Sequence, residues 1–214
     1  MGPDSSETRK VLQRASQGDN SALSALLDRH RERLRRMVAL RMDQRLHGRI
    51  DASDVVQEAY LEAWTRLAEY LRGPNMPFFL WLRLLTAQRL VTLHRKHLGV
   101  RMRDPSLEIS LYQEGLPGTS SAALAAQLLG HDTRPSDAAI RAEMKVRLQE
   151  ALNSMDALDR EVLALRHFDQ LSRSEIAHLL NLHEAAVSKR YIRALKRLKD
   201  LLSTMPGGST EFRL

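Results

Sequence analysis

Apolar residues recur every three or four positions through most of the chain, which is the spacing of helices that bury one face. Glycine and proline, which disfavour helix interiors, are absent from residues 136–205 and concentrated between residues 99 and 137. Valine and isoleucine, which favour strands, are far fewer than leucine. The pattern therefore predicts an all-α protein.

The break in helical patterning predicts two small helical domains joined by a long linker. The first domain covers 5–98 and contains four helices, of which the second is expected over Asn20–His47. A flexible linker covers 99–137, with one short helix at Ala122–Leu129. The second domain covers 138–203, and residues 204–214 form a tail.

The second domain contains the signals of a helix-turn-helix. Ser172 and Glu175 have the spacing of a capping box, which starts a short helix. Asn181 lies where a left-handed residue would turn the chain into a long helix over Glu184–Leu202. One face of that helix is apolar, and the other is polar and basic. We interpret this helix as one that enters the DNA major groove, the alternative being the solvated basic face of an ordinary bundle helix.

Charge separates sharply within the first domain. Residues 50–65 contain Asp51, Asp54, Glu58 and Glu62 but no Lys or Arg, whereas residues 70–103 contain no Asp or Glu. This contrast indicates two partners of opposite charge. The basic segment also contains aromatic rings that could stack on unpaired bases, the alternative being that they belong to the core.

Composition excludes several kinds of chemistry. The chain has 214 residues, 33 Lys and Arg against 26 Asp and Glu, and no cysteine. The lack of cysteine excludes disulfides, thiolate metal sites and cysteine nucleophiles. Carboxylates at 51, 54 and 58 lack the Glu-x-x-His partners of a di-iron bundle. We therefore expect no catalytic residues, no metal and no cofactor. No signal peptide or membrane span is visible, so we expect no membrane insertion and a cytoplasmic location.

Two blocks of sequence resemble the sigma-70 family of bacterial RNA polymerase sigma factors, extracytoplasmic-function group. The segment from Asp51 to Trp64 is similar to the family's core-polymerase-binding helix, and Phe78 to Lys96 is similar to its promoter-melting helix. Residues from Asp159 to Leu195 resemble the domain that reads the upstream promoter element. The resemblance implies core RNA polymerase, duplex and single-stranded promoter DNA, and an anti-sigma factor as partners.

The resemblance also implies roles for individual residues. The core-polymerase-binding positions are Asp51, Asp54, Gln57, Glu58 and Trp64. The downstream-promoter positions are Phe78, Trp81, Gln88, Arg89, Thr92, Arg95 and Lys96. The upstream-promoter positions are Ser188, Lys189, Arg190, Ile192, Arg193 and Lys196. The chain departs from the family pattern at Gln88, Thr92, His183, Ala185 and Ala186.

The hypothesis is thus a promoter-specificity subunit that binds core polymerase, recognises promoter elements and helps open the DNA. A stand-alone helix-turn-helix regulator with an N-terminal sensing or dimerisation domain is the alternative; such a regulator would dimerise on a palindromic site. An enzyme is the third possibility, but the sequence contains no phosphate loop and no nucleophile motif.

Overall fold

A computed structural model of the chain describes residues 6–74, 76–98, 118–129 and 138–203, except for the side chains of 138–141 and 201–202. These residues form nine α-helices and no strand. The N-terminal helices are α1 (Ser6–Ser16), α2 (Asn20–Arg41), α3 (Ala52–Arg72) and α4 (Phe78–Leu98). The remaining helices are α5 (Ser121–Leu128), α6 (Ala138–Asn153), α7 (Ala157–His167), α8 (Arg173–Leu180) and α9 (Glu184–Ser203). The prediction of an all-α protein is confirmed for this part of the chain.

The first domain has the four predicted helices, but α2 is shorter than expected. It ends at Arg41 because Met42 adopts an extended backbone, and a 3-10 helix over Gln44–Leu46 follows. Asp43 starts this turn by accepting a hydrogen bond from the backbone N–H of Arg45. The prediction of one helix over Asn20–His47 is therefore wrong beyond Arg41, because a side-chain cap restarts the chain there.

Aromatic rings fill the junction of α3 and α4. Trp81 stacks on Tyr70 with ring centroids 4.6 Å apart, and Phe78 meets both rings at 5.7 Å. Phe78 is fully buried and Trp81 is only 7% exposed. The faces of both rings already pack against neighbouring side chains, which favours the core interpretation; their assignment to promoter DNA stays a prediction.

The helix-turn-helix signals of the second domain are confirmed. Ser172 and Glu175 form both hydrogen bonds of the capping box at the start of α8. Asn181 ends α8 in the left-handed conformation, with φ of 51°. Asp156 caps α7 by accepting from the backbone N–H groups of Leu158 and Asp159. Helix α9 then begins at Glu184, as predicted, and buries Val187, Ala194 and Leu198.

Part of the predicted linker is packed rather than free. Helix α5 lies within the 99–137 range, one residue earlier than the predicted Ala122–Leu129. Its Leu124 and Ala125 are fully buried in a cluster that also contains Leu40 of α2, and the N–H of Ser120 donates to the carbonyl of Leu40. Residues 118–129 thus link the two domains, and the flexibility of the linker over 99–137 stays a prediction. The rest of the linker and the 204–214 tail lie outside the described residues.

Four charged side chains meet between the domains, and we call them the interdomain cluster: Arg41 of α2, Arg83 of α4, Glu161 of α7 and Asp169 after α7. None of the four side chains is more than 2% exposed. Arg41 pairs with Glu161, and Arg83 pairs with Asp169 with Nη2 and Oδ2 2.8 Å apart. The two positive and two negative charges balance, which a buried ionic group requires.

Two further contacts connect the domains. The N–H and hydroxyl of Thr119 donate to Oε2 of Glu161 at 3.0 and 2.7 Å. Arg33 of α2 donates from Nε and Nη2 to the carbonyl of Asp169 at 3.0 and 2.7 Å, while its guanidinium lies 3.6 Å from the ring centre of Phe79. The two domains therefore pack together in this structure. Their boundaries at 98 and 138 remain a prediction.

Candidate functional site

One face of α3 stays uncovered, and we call it the α3 face: Asp54, Gln57, Glu58, Leu61 and Trp64. These positions are three or four residues apart, so they share one side of the helix. Leu61 is 68% exposed and Trp64 is 42% exposed, which is unusual for large apolar residues. Helix propensity and the core on the opposite side explain why α3 forms. Neither helix propensity nor core packing explains why Leu61 and Trp64 remain exposed to water. The α3 face therefore has the composition of a docking surface.

Asp51, the fifth predicted core-polymerase residue, has a structural role as well. Its carboxylate accepts from the N–H of Ser53 at 2.6 Å and caps α3. Hydrogen bonds from the backbone and side chain of Ser53 lower the pKa of Asp51 below its ordinary value. The side chain remains exposed next to the α3 face and keeps its negative charge at neutral pH.

Glu58 and Arg89 form an ion pair across α3 and α4, although the sequence assigned them to different partners. Both side chains are partly exposed. The pair partly neutralises the acidic surface at Glu58. The described residues provide no ion-pair partner for Asp54, so the negative charge of the α3 face is concentrated there. The pair also holds the Arg89 guanidinium against α3 rather than out in solvent.

The end of α4 presents a short basic surface. Thr92, Arg95 and Lys96 are exposed, and Gln88 is half-buried one turn earlier. The Thr92 hydroxyl donates to the Gln88 carbonyl at 2.9 Å. Arg95 and Lys96 also lie in the last turn, where the helix dipole favours positive charge. Seven residues were predicted to contact the downstream promoter. Of these, Thr92, Arg95 and Lys96 are exposed, and all three lie near the end of α4.

The recognition face of α9 consists of Ser188, Lys189, Ile192, Arg193 and Lys196. Ile192 is 65% exposed, and Lys189, Arg193 and Lys196 are also exposed, while Ser188 is half-buried. The structure therefore brings these five predicted residues together on the side of α9 that the domain core leaves open. An exposed isoleucine among cations can contact a thymine methyl group or another apolar base edge.

Two arginines of α9 are held by a residue that sequence reasoning did not select. Arg193 donates from Nε and Nη2 to the two carboxylate oxygens of Asp159, at 2.5 and 2.7 Å. Arg190 donates from Nη1 to Oδ1 of Asp159 at 2.6 Å. Burial alone would raise the pKa of Asp159, but hydrogen bonds from Arg193 and Arg190 outweigh it and lower the pKa. We call these three residues the Asp159 cluster.

A cavity of about 230 Å³ opens beside the recognition face. It is lined by Val162, Arg166, Arg173, Ile176, Val187, Ser188, Tyr191 and Ile192. Arg173 is exposed in the first turn of α8, so the positive surface of α9 continues across the helix-turn-helix. Cations spread over two helices suit a sugar-phosphate backbone, which carries one negative charge per nucleotide.

The interdomain cluster is the second group that sequence reasoning missed. Burial alone would raise the pKa of Glu161, but the charge of Arg41 and the hydrogen bonds from Thr119 and Arg41 outweigh burial and lower the pKa. Glu161 is therefore ionised at neutral pH. No signal in the sequence pairs it with Arg41, which lies 120 residues earlier.

No group of three or more His, Asp or Glu side chains in the described ranges is placed to hold a metal ion. Over the same residues, no helix combines the length and apolarity needed to cross a bilayer.

Comparisons with known proteins agree with the helix-turn-helix and extend over most of the chain. A family model described as Sigma-70, region 4, matches residues 145–198, which include α7, α8 and most of α9. The ECF RNA polymerase sigma factor SigD of Mycobacterium tuberculosis is 32% identical over 190 residues, covering 89% of this chain and 81% of SigD. The ECF RNA polymerase sigma factor SigW of Bacillus subtilis is 23% identical over 194 residues, covering 91% of this chain and 96% of SigW.

A solved structure shares the fold. CnrH in complex with the cytosolic domain of CnrY superposes with a TM-score of 0.54 at 23% identity, covering 94% of this chain and 99% of CnrH. At this identity the superposition bears on the fold alone. It extends across both helical domains, not only the helix-turn-helix.

Proposed function

Because this chain belongs to the extracytoplasmic-function group of sigma-70 family RNA polymerase sigma factors, we propose that its α3 face binds core polymerase and its recognition face reads the upstream promoter element. The chain is a promoter-specificity subunit that directs transcription initiation. The observation that carries the proposal is the exposure of two faces of opposite character in an otherwise packed molecule: α3 presents carboxylate and apolar groups, and α9 presents cations.

The α3 face suits a basic protein partner with an apolar contact. Asp54 supplies an unpaired negative charge, and Leu61 and Trp64 supply apolar area whose burial is favourable. Tryptophan is frequent among the residues that dominate binding energy at protein interfaces. The charge would orient the encounter, and the two apolar side chains would contribute most of the affinity.

The recognition face suits duplex DNA. Lys189 and Lys196 can neutralise phosphates, Ser188 and Ile192 can meet base edges, and the exposed width of one helix fits the major groove. At the end of α4, Thr92, Arg95 and Lys96 are the residues we assign to the downstream element and the opened strand. Opening then results from binding the single-stranded form better than the duplex, which shifts an equilibrium.

No bond is made or broken in these steps, so we assign no catalytic residue to the chain. We place it in the cytoplasm, with core polymerase and the chromosome. The alternative of a stand-alone regulator loses its basis, because the likeness to sigma factors covers 89% of the chain rather than the helix-turn-helix alone. CnrH, which shares the fold, is seen bound to a domain of CnrY, and we propose that a regulatory protein likewise binds this chain.

Run-off transcription tests the proposal. Purified core polymerase is incubated with the chain and a library of genomic promoters, and the transcripts are sequenced. We expect transcripts from a small set of promoters that share an upstream and a downstream element. A library transcribed identically with and without the chain would contradict the function.

The assignment of the α3 face has its own test. The change Asp54→Lys replaces attraction by repulsion and should weaken co-purification with core polymerase by about tenfold. The matched control is Asp200→Lys, which makes the same change at an exposed acid of α9. Equal retention of core polymerase by the two variants would count against the α3 face.

A further inference from the structure

Within the described ranges, the buried carboxylate of Asp159 contacts two arginines of α9, Arg190 and Arg193, and both are predicted upstream-promoter residues. We propose that Asp159 is a positioning residue that presents the Arg193 guanidinium to a guanine in the upstream promoter element. The proposal rests on the proposed function of the recognition face, because it concerns how one residue of that face is aimed.

The geometry fixes one end of Arg193 and leaves the other in solvent. Asp159 lies in the first turn of α7, where its side chain is only 6% exposed. The Arg193 side chain is 61% exposed, although its Nε and Nη2 are bound to the carboxylate. A long side chain that would otherwise sample many rotamers is therefore held in one orientation by a carboxylate that itself cannot move freely.

Counting hydrogen-bond donors shows what remains for DNA. A guanidinium has five N–H donors. The carboxylate takes the Nε donor and one donor of Nη2, which leaves one donor on Nη2 and both donors on Nη1. Over the described residues, Nη1 of Arg193 contacts no other acceptor. The free Nη1–Nη2 edge is a two-donor fork, and guanine is the base whose major-groove edge offers two matching acceptors, O6 and N7.

The surroundings of Asp159 support an anchor rather than a neutral packing residue. The cap residue Asp156 accepts from the backbone N–H of Asp159 at 3.2 Å and from Nη1 of Arg190 at 3.2 Å. Two guanidiniums hold the pKa of Asp159 down, so its charge persists at neutral pH. Asp156 and Asp159 together balance the charges of Arg190 and Arg193, so the carboxylates orient the guanidiniums at little cost in repulsion between them.

An opposite role for Asp159 would have the opposite effect on DNA binding. A carboxylate could instead draw both arginines away from DNA and act as a brake. In that case, removing Asp159 would free two cations and strengthen binding at every sequence. A positioning residue has the reverse signature: its removal costs binding chiefly at one base pair, where the aimed guanidinium reads the guanine.

The experiment uses the complete holoenzyme, reconstituted from core polymerase and the full chain, on a promoter found by the library assay. Half-saturating concentrations are measured for the promoter and for every single base-pair change in its upstream element. The variants are Asp159→Asn, Arg193→Ala and the double variant. Asp156→Asn is the matched control, because asparagine caps a helix as well as aspartate does while removing one negative charge from the same turn.

We expect Arg193→Ala to lose about tenfold discrimination at a single G·C pair. Asp159→Asn should lose most of the same discrimination at the same pair, and the double variant should be no worse than Arg193→Ala. Asp156→Asn should keep the profile. Tighter binding by Asp159→Asn, a uniform loss over all positions, or an unchanged profile would overturn the positioning role.

Two further readouts keep the outcomes distinct. If Arg193→Ala and Lys189→Ala both leave every position unchanged, the recognition face itself is misassigned; a selective loss in Arg193→Ala with none in Asp159→Asn contradicts only the positioning role. Should Asp159→Asn fail to fold, Arg193→Lys replaces it, since lysine keeps the charge at an exposed site but has no planar fork. We expect Arg193→Lys to lose the guanine preference, and its retention would overturn the proposal.

Discussion

The interdomain cluster and the Asp159 cluster use the same side chains, arginine and carboxylate, in opposite settings. All four side chains of the interdomain cluster are essentially without solvent contact, whereas Arg193 of the Asp159 cluster is 61% exposed. Removing one charge from the interdomain cluster leaves an uncompensated ion in a region of low dielectric constant. At the Asp159 cluster, water and salt screen the effect of removing a charge.

The difference separates stability from recognition. The interdomain cluster has no free donor edge at the surface, so we expect it to affect folding and domain packing. The Asp159 cluster ends in an exposed guanidinium edge, so we expect it to affect DNA binding with little effect on folding. Mutations at the two clusters should therefore give opposite patterns in unfolding and in promoter binding.

The largest effect is expected from Asp169→Asn. This change removes one buried charge while keeping the shape of the side chain, and it leaves Arg83 and Arg41 with one carboxylate between them. The free energy of unfolding should fall by about 3–5 kcal/mol, measured by urea denaturation.

The control for Asp169→Asn is Glu143→Gln, which removes an exposed pairing with Arg147 and should cost at most about 0.5 kcal/mol. A loss below 1 kcal/mol for Asp169→Asn, similar to the control, would mean that the interdomain cluster is not buried in solution.

A second effect concerns acid pH at His30, which packs on Phe79 with ring centroids 5.1 Å apart. Burial, followed by the charges of Arg33 and Arg29, lowers the pKa of His30 to about 4. In the unfolded chain the group keeps its ordinary pKa near 6.5 and binds the proton first. The stability contributed by neutral His30 is present above pH 6.5 and is lost as the pH falls toward 4.

His30→Leu should therefore reduce the acid dependence of the free energy of unfolding between pH 7 and 4. The full shift would correspond to ~3 kcal/mol, and the partial exposure of His30 reduces the expected difference to about 2 kcal/mol. His47→Gln, which removes an exposed imidazole, is the matched control. Parallel profiles for His30→Leu and the wild type would contradict a neutral buried His30.

At the recognition face, Lys189→Ala combined with Arg193→Ala should weaken upstream-element binding by the holoenzyme by about 10- to 100-fold. Co-purification with core polymerase should survive, and the free energy of unfolding should change little, because both side chains are exposed. Unchanged transcription from a matched promoter would mean that the recognition face is misplaced.

The smallest effect is expected at Lys196, which we assign to a phosphate. Lys196→Ala should weaken binding similarly at all promoter sequences and lower the slope of log affinity against log salt by about 1. Lys145→Ala on α6 makes the same change in charge at an exposed lysine away from the recognition face. Equal slopes in the two variants would remove Lys196 from the DNA contact.

Local signals in the sequence predicted much of this molecule. The capping box at Ser172, the left-handed turn at Asn181 and the apolar stripe of α9 are short-range features, and each occurs in the structure as expected. The acidic run before Trp64 likewise marked an exposed helix face. Such features depend on residues within one or two helical turns, so sequence alone can identify them.

Features that depend on distant residues were not predictable. Arg41 and Glu161 meet across 120 residues, and Asp159 reaches Arg193 across 34. The resemblance assigned Phe78 to promoter DNA, with the core as the alternative, and the burial of its ring follows from helix packing that periodicity alone did not show. Periodicity gives the buried side of a helix only when apolar residues are confined to one stripe, and α4 is apolar on most sides.

The separation of the α3 face from the recognition face is the central claim, and one paired measurement tests it most directly. Affinity for core polymerase and affinity of the resulting holoenzyme for promoter DNA are measured for the wild type, for Asp54→Lys and for the Lys189→Ala, Arg193→Ala double variant. We expect Asp54→Lys to weaken only the affinity for core polymerase and the double variant to weaken only the affinity for promoter DNA. Loss of both affinities in either variant, or of neither in both, would contradict the central claim.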